Sequence, residues 1–383
     1  MTDPQLSDER ARIDRIDDQI FALFNERLEV ATRIGEKKRS SGRRVYDRKR
    51  EDEKFERAAA AVDTRDRGYA YMLQSLLMEA ARGRQHLAER SDSPVAAQIA
   101  RELGRQRPLF PQRAEIACQG VEGAYSQVAA ERIFKHPRIA YFNSFGAVFS
   151  AVEQGLCSYG ILPIENSTAG SVNQVFDLMK EHDFYIVRTC RIKVDHALLA
   201  RPGTHLEDVR VVYSHPQAIS QCSNYIAGLP DVRVHTCENT AIASQRVAEG
   251  GTEGAAAIAN LSCAELYGLE VLDEDIQDRD NNYTRFAAIA KDLAIYPGAD
   301  RSSLQIVARH EPGALYKVLA KFYSLDLNII KLESRPIANR DFQFMFYFDV
   351  ECPVAAPEFM ELMETIGDVV HEVRYLGSYS EVV

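Results

Sequence analysis

No run in this chain approaches the roughly 18 apolar residues that a membrane-spanning helix requires, so no span is expected. The first residues, MTDPQLSDERARID, are polar and acidic and lack the hydrophobic segment of a secretory signal. Seven cysteines (118, 157, 190, 222, 237, 263 and 352) are scattered, odd in number and without a CxxC. That pattern speaks against zinc and against a disulfide framework, so reduced thiols in a cytoplasmic protein are expected. A basic excess is missing as well: the net charge of −10 argues against nucleic acid as a partner. Repeats and low-complexity tracts are absent. What is present is an ordinary globular composition, 46% hydrophobic and 27% charged, over 383 residues. That length is too great for one core, so two or three domains are expected.

Proline is missing from everything between Pro4 and Pro94. Within that stretch Ile13, Ile16, Ile20, Leu23, Val30 and Ile34 follow a 3-4 spacing, which predicts an all-helical segment over residues 6–90. Residues 91–112, SDSPVAAQIARELGRQRPLFPQ, lose the pattern and hold three prolines, so a linker is expected. From 114 to 291 short apolar strands alternate with helical stretches, as at 139–142, 159–164, 209–213, 232–236, 255–259 and 285–290. That alternation predicts an α/β sheet. After Pro297-Gly298 come strand 304–308, helix 313–323, strands 328–334 and 342–351, helix 357–366 and strand 373–379. This order predicts a small ferredoxin-like α+β module.

The helical stripe that carries Ile13, Ile20 and Ile34 also carries Arg27, and a cation on a buried stripe is costly unless paired. Lys38 lies within roughly 20° of Arg27 and about 16 Å further along, so both long side chains can bend toward one point. Arg10 projects roughly 100° away and could reach such a site only on a partner chain. Asp47, Arg50 and Glu51 share a face of the second helix at i, i+3 and i+4. Gln85 sits on the third helix. A plain bundle with solvated or structurally paired charges has the same appearance. A nucleic-acid patch over residues 37–50 is opposed by Asp47, by Glu51-Asp52-Glu53 and by the net charge.

These residues, embedded in IDRIDDQIFALFNERLEVATRIGEKK and VYDRKRE, resemble the all-helical chorismate mutases across residues 6–90. The resemblance implies an intertwined helical dimer in which each site borrows Arg10 from the partner chain. It assigns Arg27 and Arg10 to two substrate carboxylates, and Lys38 and Gln85 to the ether oxygen of chorismate. Asp47 and Glu51 would hold the ring hydroxyl, with Arg50 ordering that acidic pair. Ala81 stands where many members have serine; the lost hydroxyl contact is worth about 1 kcal/mol, so activity is expected to survive. Rearranging chorismate to prephenate needs no acid, base or nucleophile, only a compact conformer and donors where negative charge grows.

In the α/β segment the ten residues PIENSTAGSV (163–172) run from an apolar strand through hydroxyl and amide residues into a helical stretch at 172–180. A helix start attracts anions through unpaired N–H groups and the macrodipole, so a small acidic ligand is expected. GVEGAYSQVAA, YSHPQAISQC and NNYTRF repeat this strand-then-turn layout, bringing Ser126, Ser214, His215, Asn282, Thr284 and Arg285 toward strand ends. Each cluster has a plain reading too: Ser167 and Ser214 as helix caps, His215 as a capping or packing histidine, Glu165 as a surface carboxylate.

Together GAYS (123–126), PIENSTAGSV, YSHPQA (213–218) and YTRF (283–286) resemble the prephenate dehydratase domain over about residues 114–291. The resemblance implies two lobes like those of solute-binding proteins, with prephenate between them. It draws Ser126, Asn166, Ser167, Thr168, Ser214, His215, Gln217, Thr284 and Arg285 into that site. Prephenate loses its hydroxyl and a carboxylate together and aromatises, so no metal or organic cofactor is needed. Thr284, working within a network of Asn166, Ser167 and Thr168, is the expected proton donor or leaving-group ligand. Arg285 is expected to hold a carboxylate.

PGAL (312–315) and ESRP (333–336) resemble the ACT regulatory domain, which implies phenylalanine bound at Gly313, Ala314, Leu315, Glu333, Ser334 and Arg335. The expected organisation is mutase 1–90, linker 91–112, dehydratase 113–292 and ACT domain 301–383. The expected protein is a phenylalanine-inhibited enzyme, at least dimeric, without membrane or nucleic-acid partner. An arogenate dehydratase and a non-catalytic small-molecule sensor are the alternatives; the sensor leaves the Arg27–Lys38 stripe and Thr284-Arg285 unexplained.

Overall fold

The computed structural model describes residues 4–41, 48–87, 93–105, 109–337 and 344–382. The chain divides into two compact units, Met1–Ala97 with Met363–Thr365, and Gln98–Leu362 with Ile366–Val383. The first unit contains α1 (Pro4–Ser40), α2 (Arg48–Ala60) and α3 (Arg67–Leu87). With no proline to break it, α1 runs for 37 residues, about 55 Å at 1.5 Å per residue. α3 packs on both α1 and α2. The apolar stripe of α1 is exposed among the described residues: Ile13 is 57%, Ile20 52% and Leu23 64% exposed. An apolar stripe of that length in water calls for a covering surface.

Residues 94–103, expected as linker, form a helix instead, α4 (Pro94–Leu103). Proline is tolerated at a first helical position, and Ser93 Oγ accepts from the Ala96 N–H at 3.2 Å. The Ala and Ile that follow bury Ala96 and Ile99.

The second unit opens with β1 (Arg113–Gln119), α5 (Tyr125–Ile133), β2 (His136–Phe142), α6 (Phe145–Glu153), β3 (Tyr159–Asn166), β4 (Gly170–Ser171), α7 (Asn173–Leu178) and β5 (Tyr185–Lys193). A second lobe holds β6 (Ala197–Ala200), β7 (Val211–Ser214), α8 (Pro216–Gln221), α9 (Ser223–Gly228), β8 (Arg233–Thr236), α10 (Thr240–Glu249), β9 (Ala255–Ala259), α11 (Ser262–Tyr267) and β10 (Glu270–Asp273). β11 (Tyr283–Ala290) returns to the first lobe. There follow β12 (Arg301–Ala308), α12 (Ala314–Ser324), β13 (Asn328–Pro336), β14 (Phe344–Glu351), α13 (Pro357–Thr365), β15 (Val370–Tyr379) and β16 (Glu381–Val382).

The first lobe is a seven-stranded sheet of order β16-β5-β11-β3-β1-β2 with β4 on β3, and the second a five-stranded sheet of order β10-β6-β9-β7-β8. The fully buried Ala-Ile run of β9 suits a strand covered on both faces. The C-terminal module is a four-stranded antiparallel sheet of order β13-β14-β12-β15, the expected ferredoxin-like arrangement. It is not self-contained. β16 leaves it to pair in parallel with β5 of the first lobe, and Tyr347, Leu376 and Tyr379 share one core with Val148, Leu162 and Ile289. Each such large apolar side chain contributes roughly 1.5–3 kcal/mol by burial. At Gly377, whose φ is +126°, a Cβ would collide with the carbonyl oxygen of Ile186, so β15 can lie this close to β5 only through glycine.

Candidate functional site

Strand alternation sorts the residues of β3 and β11 onto two faces. The strands run antiparallel with Asn166 opposite Thr284 and Glu165 opposite Arg285. Successive side chains point to opposite sides, so Asn166 and Thr284 share one face while Glu165 and Arg285 share the other.

On the first face Asn166 Nδ2 donates to Thr284 Oγ1 at 3.0 Å and to Asn282 Oδ1 at 2.8 Å. Asn166 Oδ1 accepts from the backbone amides of Thr168 (3.0 Å) and Ala169 (2.8 Å). Donors on one end and acceptors on the other fix which way each amide points. Because Thr284 Oγ1 accepts from Asn166, its own hydrogen is available to donate. Asn166, Asn282 and Thr284 are all buried.

On the second face charges from the C-terminal module close in. Arg285 pairs with Asp349 of β14 at 2.6 Å and with Glu381 of β16 at 3.0 Å, and donates to Tyr379 Oη at 3.2 Å. Glu381 also pairs with Arg301 (2.6 Å) and Arg191 (3.0 Å). Lys331 of β13 pairs with Glu165 at 3.0 Å and donates to Ser171 Oγ, and Ser171 donates to Glu333 at 2.7 Å. The carboxylate-holding role expected of Arg285 is therefore corrected: it faces away from Thr284 and is neutralised by Asp349 and Glu381.

Several other expected ligands serve the backbone. Ser126 Oγ donates to the Gln119 carbonyl at 2.6 Å, and Ser214, fully buried, to that of Ile258 at 2.7 Å. Ser167 Oγ donates to the Asn281 carbonyl and accepts from the Tyr283 amide, clipping its turn to the approach of β11. His215 caps α8, with Nδ1 accepting from the Gln217 amide at 3.2 Å. Burial holds its pKa below the ordinary histidine value, which suits an acceptor nitrogen. Gln217 enters this cap through its backbone. The motif PIENSTAGSV also differs from expectation. It folds back as a hairpin, β4 on β3, and α7 begins after Val172 with no side-chain cap. The turn amides that were expected to meet an anion go to Asn166.

In the helical unit Arg27 donates to the Leu77 carbonyl of α3, and burial lowers its pKa. Lys54 is lowered too, first by burial and then by the positive charges of Arg27 and Arg50, which places these three cations in one neighbourhood. Glu51 pairs with Arg82 of α3 at 2.6 Å. Gln85 is buried with its Oε1 unpaired among the described residues. Gly35 of α1 lies against it: a Cβ there would sit 3.0 Å from Gln85 Cα and 3.1 Å from Cβ and Cγ. Lys38 is half-buried on α1, one turn beyond Gly35, and Ala81 is buried one turn before Gln85. Arg10 and Arg50 are exposed on this chain. Asp47 lies outside the described residues.

In the C-terminal module Gly313 takes φ +77° just before α12, a left-handed turn that glycine favours. Ala314 is buried and Leu315 half-buried. The ESRP motif splits by alternation along β13. Ser334 stays exposed, whereas Glu333 reaches Ser171 and Arg335 pairs with Asp177 at 2.7 Å. Glu333 and Arg335, expected at an effector, thus bind the first lobe. Lys331, Asp349, Glu381, Arg82 and Gly35 were not anticipated. Asn282 was read at a strand end but not as a site residue; it lies directly before β11, two positions from Thr284.

The chorismate mutase type II family matches residues 9–86 and the prephenate dehydratase family residues 116–294. A bifunctional chorismate mutase/prephenate dehydratase of Escherichia coli (strain K12) is 30% identical over 97% of this chain and 95% of its own length. An arogenate dehydratase/prephenate dehydratase 2 of Arabidopsis thaliana, a chloroplastic protein, is 34% identical over 77% of this chain and 84% of its own. Among solved structures, a prephenate dehydratase from Arthrobacter aurescens in complex with L-Phe superposes with a TM-score of 0.63 at 25% identity, over 70% of this chain and 89% of that one.

Proposed function

The chain belongs to the bifunctional chorismate mutase/prephenate dehydratases, and from that premise we propose that it carries out both reactions under feedback inhibition by phenylalanine. Its helical unit, residues 1–90, rearranges chorismate to prephenate. Residues 113–292 convert prephenate, with uptake of one proton, to phenylpyruvate, carbon dioxide and water. Residues 301–383 bind phenylalanine. The bond between Asn166 and Thr284 carries the dehydratase assignment. By filling an acceptor position on Oγ1 it turns the threonine's proton outward, to the ring hydroxyl that must depart as water. Thr168 contributes its backbone amide to this network.

In the mutase, Arg27 and a partner chain's Arg10 hold the carboxylates. Lys38 and Gln85 donate to the ether oxygen, where charge grows as the bond breaks. Glu51, with Asp47 and Arg50, holds the ring hydroxyl, and Arg82 orients Glu51. A second chain also supplies cover for the exposed stripe of Ile13, Ile20 and Leu23, so a homodimer at least is part of this reading. Gly313, Ala314, Leu315 and Ser334 form the phenylalanine side of the regulatory module. Seven free cysteines, most of them buried, suit a reducing compartment such as the cytoplasm.

Incubating the purified protein with chorismate and following phenylpyruvate absorbance, with and without phenylalanine, tests the whole. Prephenate accumulating without phenylpyruvate would remove the dehydratase. An arogenate preference, suggested by the name of the plant relative, predicts faster turnover when the keto group is replaced by an amine. The fused mutase, whose product is prephenate, favours the first reading.

A further inference from the structure

We propose that Asn282 is a substrate-binding residue of the dehydratase, its Nδ2 donating to the carboxylate that departs as carbon dioxide. The inference rests on the dehydratase reading above. Asn282 is 2% exposed, and among the described residues its Nδ2 has no hydrogen-bond partner. A buried amide donor left without a partner is costly and uncommon in a native fold, so one inside a candidate site calls for a ligand. Its orientation is not free: Oδ1 is held by Asn166 Nδ2 at 2.8 Å, so the donor end must point elsewhere.

Asn282 lies directly before β11, two positions from Thr284, and both accept from Asn166 Nδ2, so their side chains share one side, about 6–7 Å apart along the backbone. That spacing is comparable with a six-membered ring bearing a substituent at each end. With Thr284 at the hydroxyl end of prephenate, Asn282 falls at the carboxylate end. Asn166 touches both and so sets the distance between them.

The chemistry favours an uncharged donor here. The electron pair of the C–COO⁻ bond moves into the ring as carbon dioxide leaves, while the C–O bond to the hydroxyl breaks and the oxygen takes up a proton. Negative charge therefore drains from the carboxylate during the reaction. A guanidinium on that group would bind the ground state better than the transition state and slow the step. Arg285, next to Thr284 in sequence, is turned to the opposite face and held by Asp349 and Glu381. A neutral amide can orient the carboxylate without holding its charge in place.

The test substitution is Asn282→Asp, which keeps an oxygen to accept from Asn166, removes the free donor and adds a negative charge at neutral pH. Activity on prephenate is first measured with the unsubstituted protein; no phenylpyruvate there would sink the dehydratase reading itself, apart from this inference. If the unsubstituted protein is active, kcat/KM of N282D should fall about 10- to 100-fold at pH 8, the loss expected for a hydrogen bond to a charged group. It should recover relative to the unsubstituted protein as pH falls and the introduced carboxyl gains a donating proton. Mutase activity should stay unchanged. A kcat/KM within threefold of the original, or a loss equal at every pH, overturns the proposal. If the new charge unfolds the dehydratase, seen as a lost thermal transition, Asn282→Ser takes its place. A tenfold or larger drop, mainly in KM with the transition retained, supports the assignment; a change under threefold overturns it.

Discussion

With its Oδ1 taken by two backbone amides, Asn166 has both Nδ2 hydrogens left for Asn282 and Thr284, and the threonine proton is thereby directed outward. Thr284→Ala should lower the dehydratase kcat by about 100-fold or more, the usual scale for a lost proton donor, with the mutase rate unaffected. Steady-state kinetics on chorismate and on prephenate separately would check both halves of that statement. On the mutase side Gly35 is the counterpart, a residue with no side chain that allows α1 to lie on Gln85. Gly35→Ala should displace Gln85 and cut mutase kcat about tenfold, while prephenate turnover stays constant; overpacking of this kind typically costs about 1–3 kcal/mol. Thr284 sits in a motif that the sequence displays, YTRF, whereas Gln85 was named only through the family resemblance, on the third helix. Gly35 and Arg82 meet neighbours remote along the chain, and so does Asn282, whose contact to Asn166 its place in NNYTRF did not show; a linear reading has no handle on such neighbours.

β11 places Thr284 and Arg285 side by side in sequence yet on opposite faces, one toward Asn166 and one toward the C-terminal module. Reading YTRF as a single cluster put both at the substrate; the two-residue period of a strand separates them. The same period divides ESRP on β13, leaving Ser334 outside and sending Glu333 and Arg335 to the first lobe. Most strands were foreseeable from apolar runs and turn residues. α4 and β16 were not, since α4 hides among prolines and β16 is two residues held by a distant sheet. Substituting Arg285→Met would leave Asp349 and Glu381 buried with one guanidinium fewer. Breaking a buried pair costs about 3–5 kcal/mol, so the thermal midpoint of the dehydratase should fall clearly. A midpoint unchanged within error would mean that Arg301 and Arg191 suffice for Glu381, and Ser303 for Asp349.

Across the whole molecule, acid should act on the dehydratase through buried imidazoles. Burial lowers the pKa of His196 and of His215. His196 is bonded to Gln221 at 2.9 Å, and His215 accepts from a backbone amide. In the unfolded chain both revert to about 6.5. The unfolded chain therefore binds protons before the native one as pH falls, and stability that is complete above about pH 6.5 declines below it. Thermal midpoints recorded between pH 8 and pH 5 should stay level down to that point and then drop; a flat profile to pH 5 would contradict the assignment.

Synthesis order gives the C-terminal stitch a further meaning. The outermost strand of the dehydratase sheet, β16, follows every element of the regulatory module along the chain. A ribosome must therefore deliver the entire brake before the engine's frame can close. A message cut short upstream of that strand would leave the first-lobe sheet without its edge and Arg285 without Glu381.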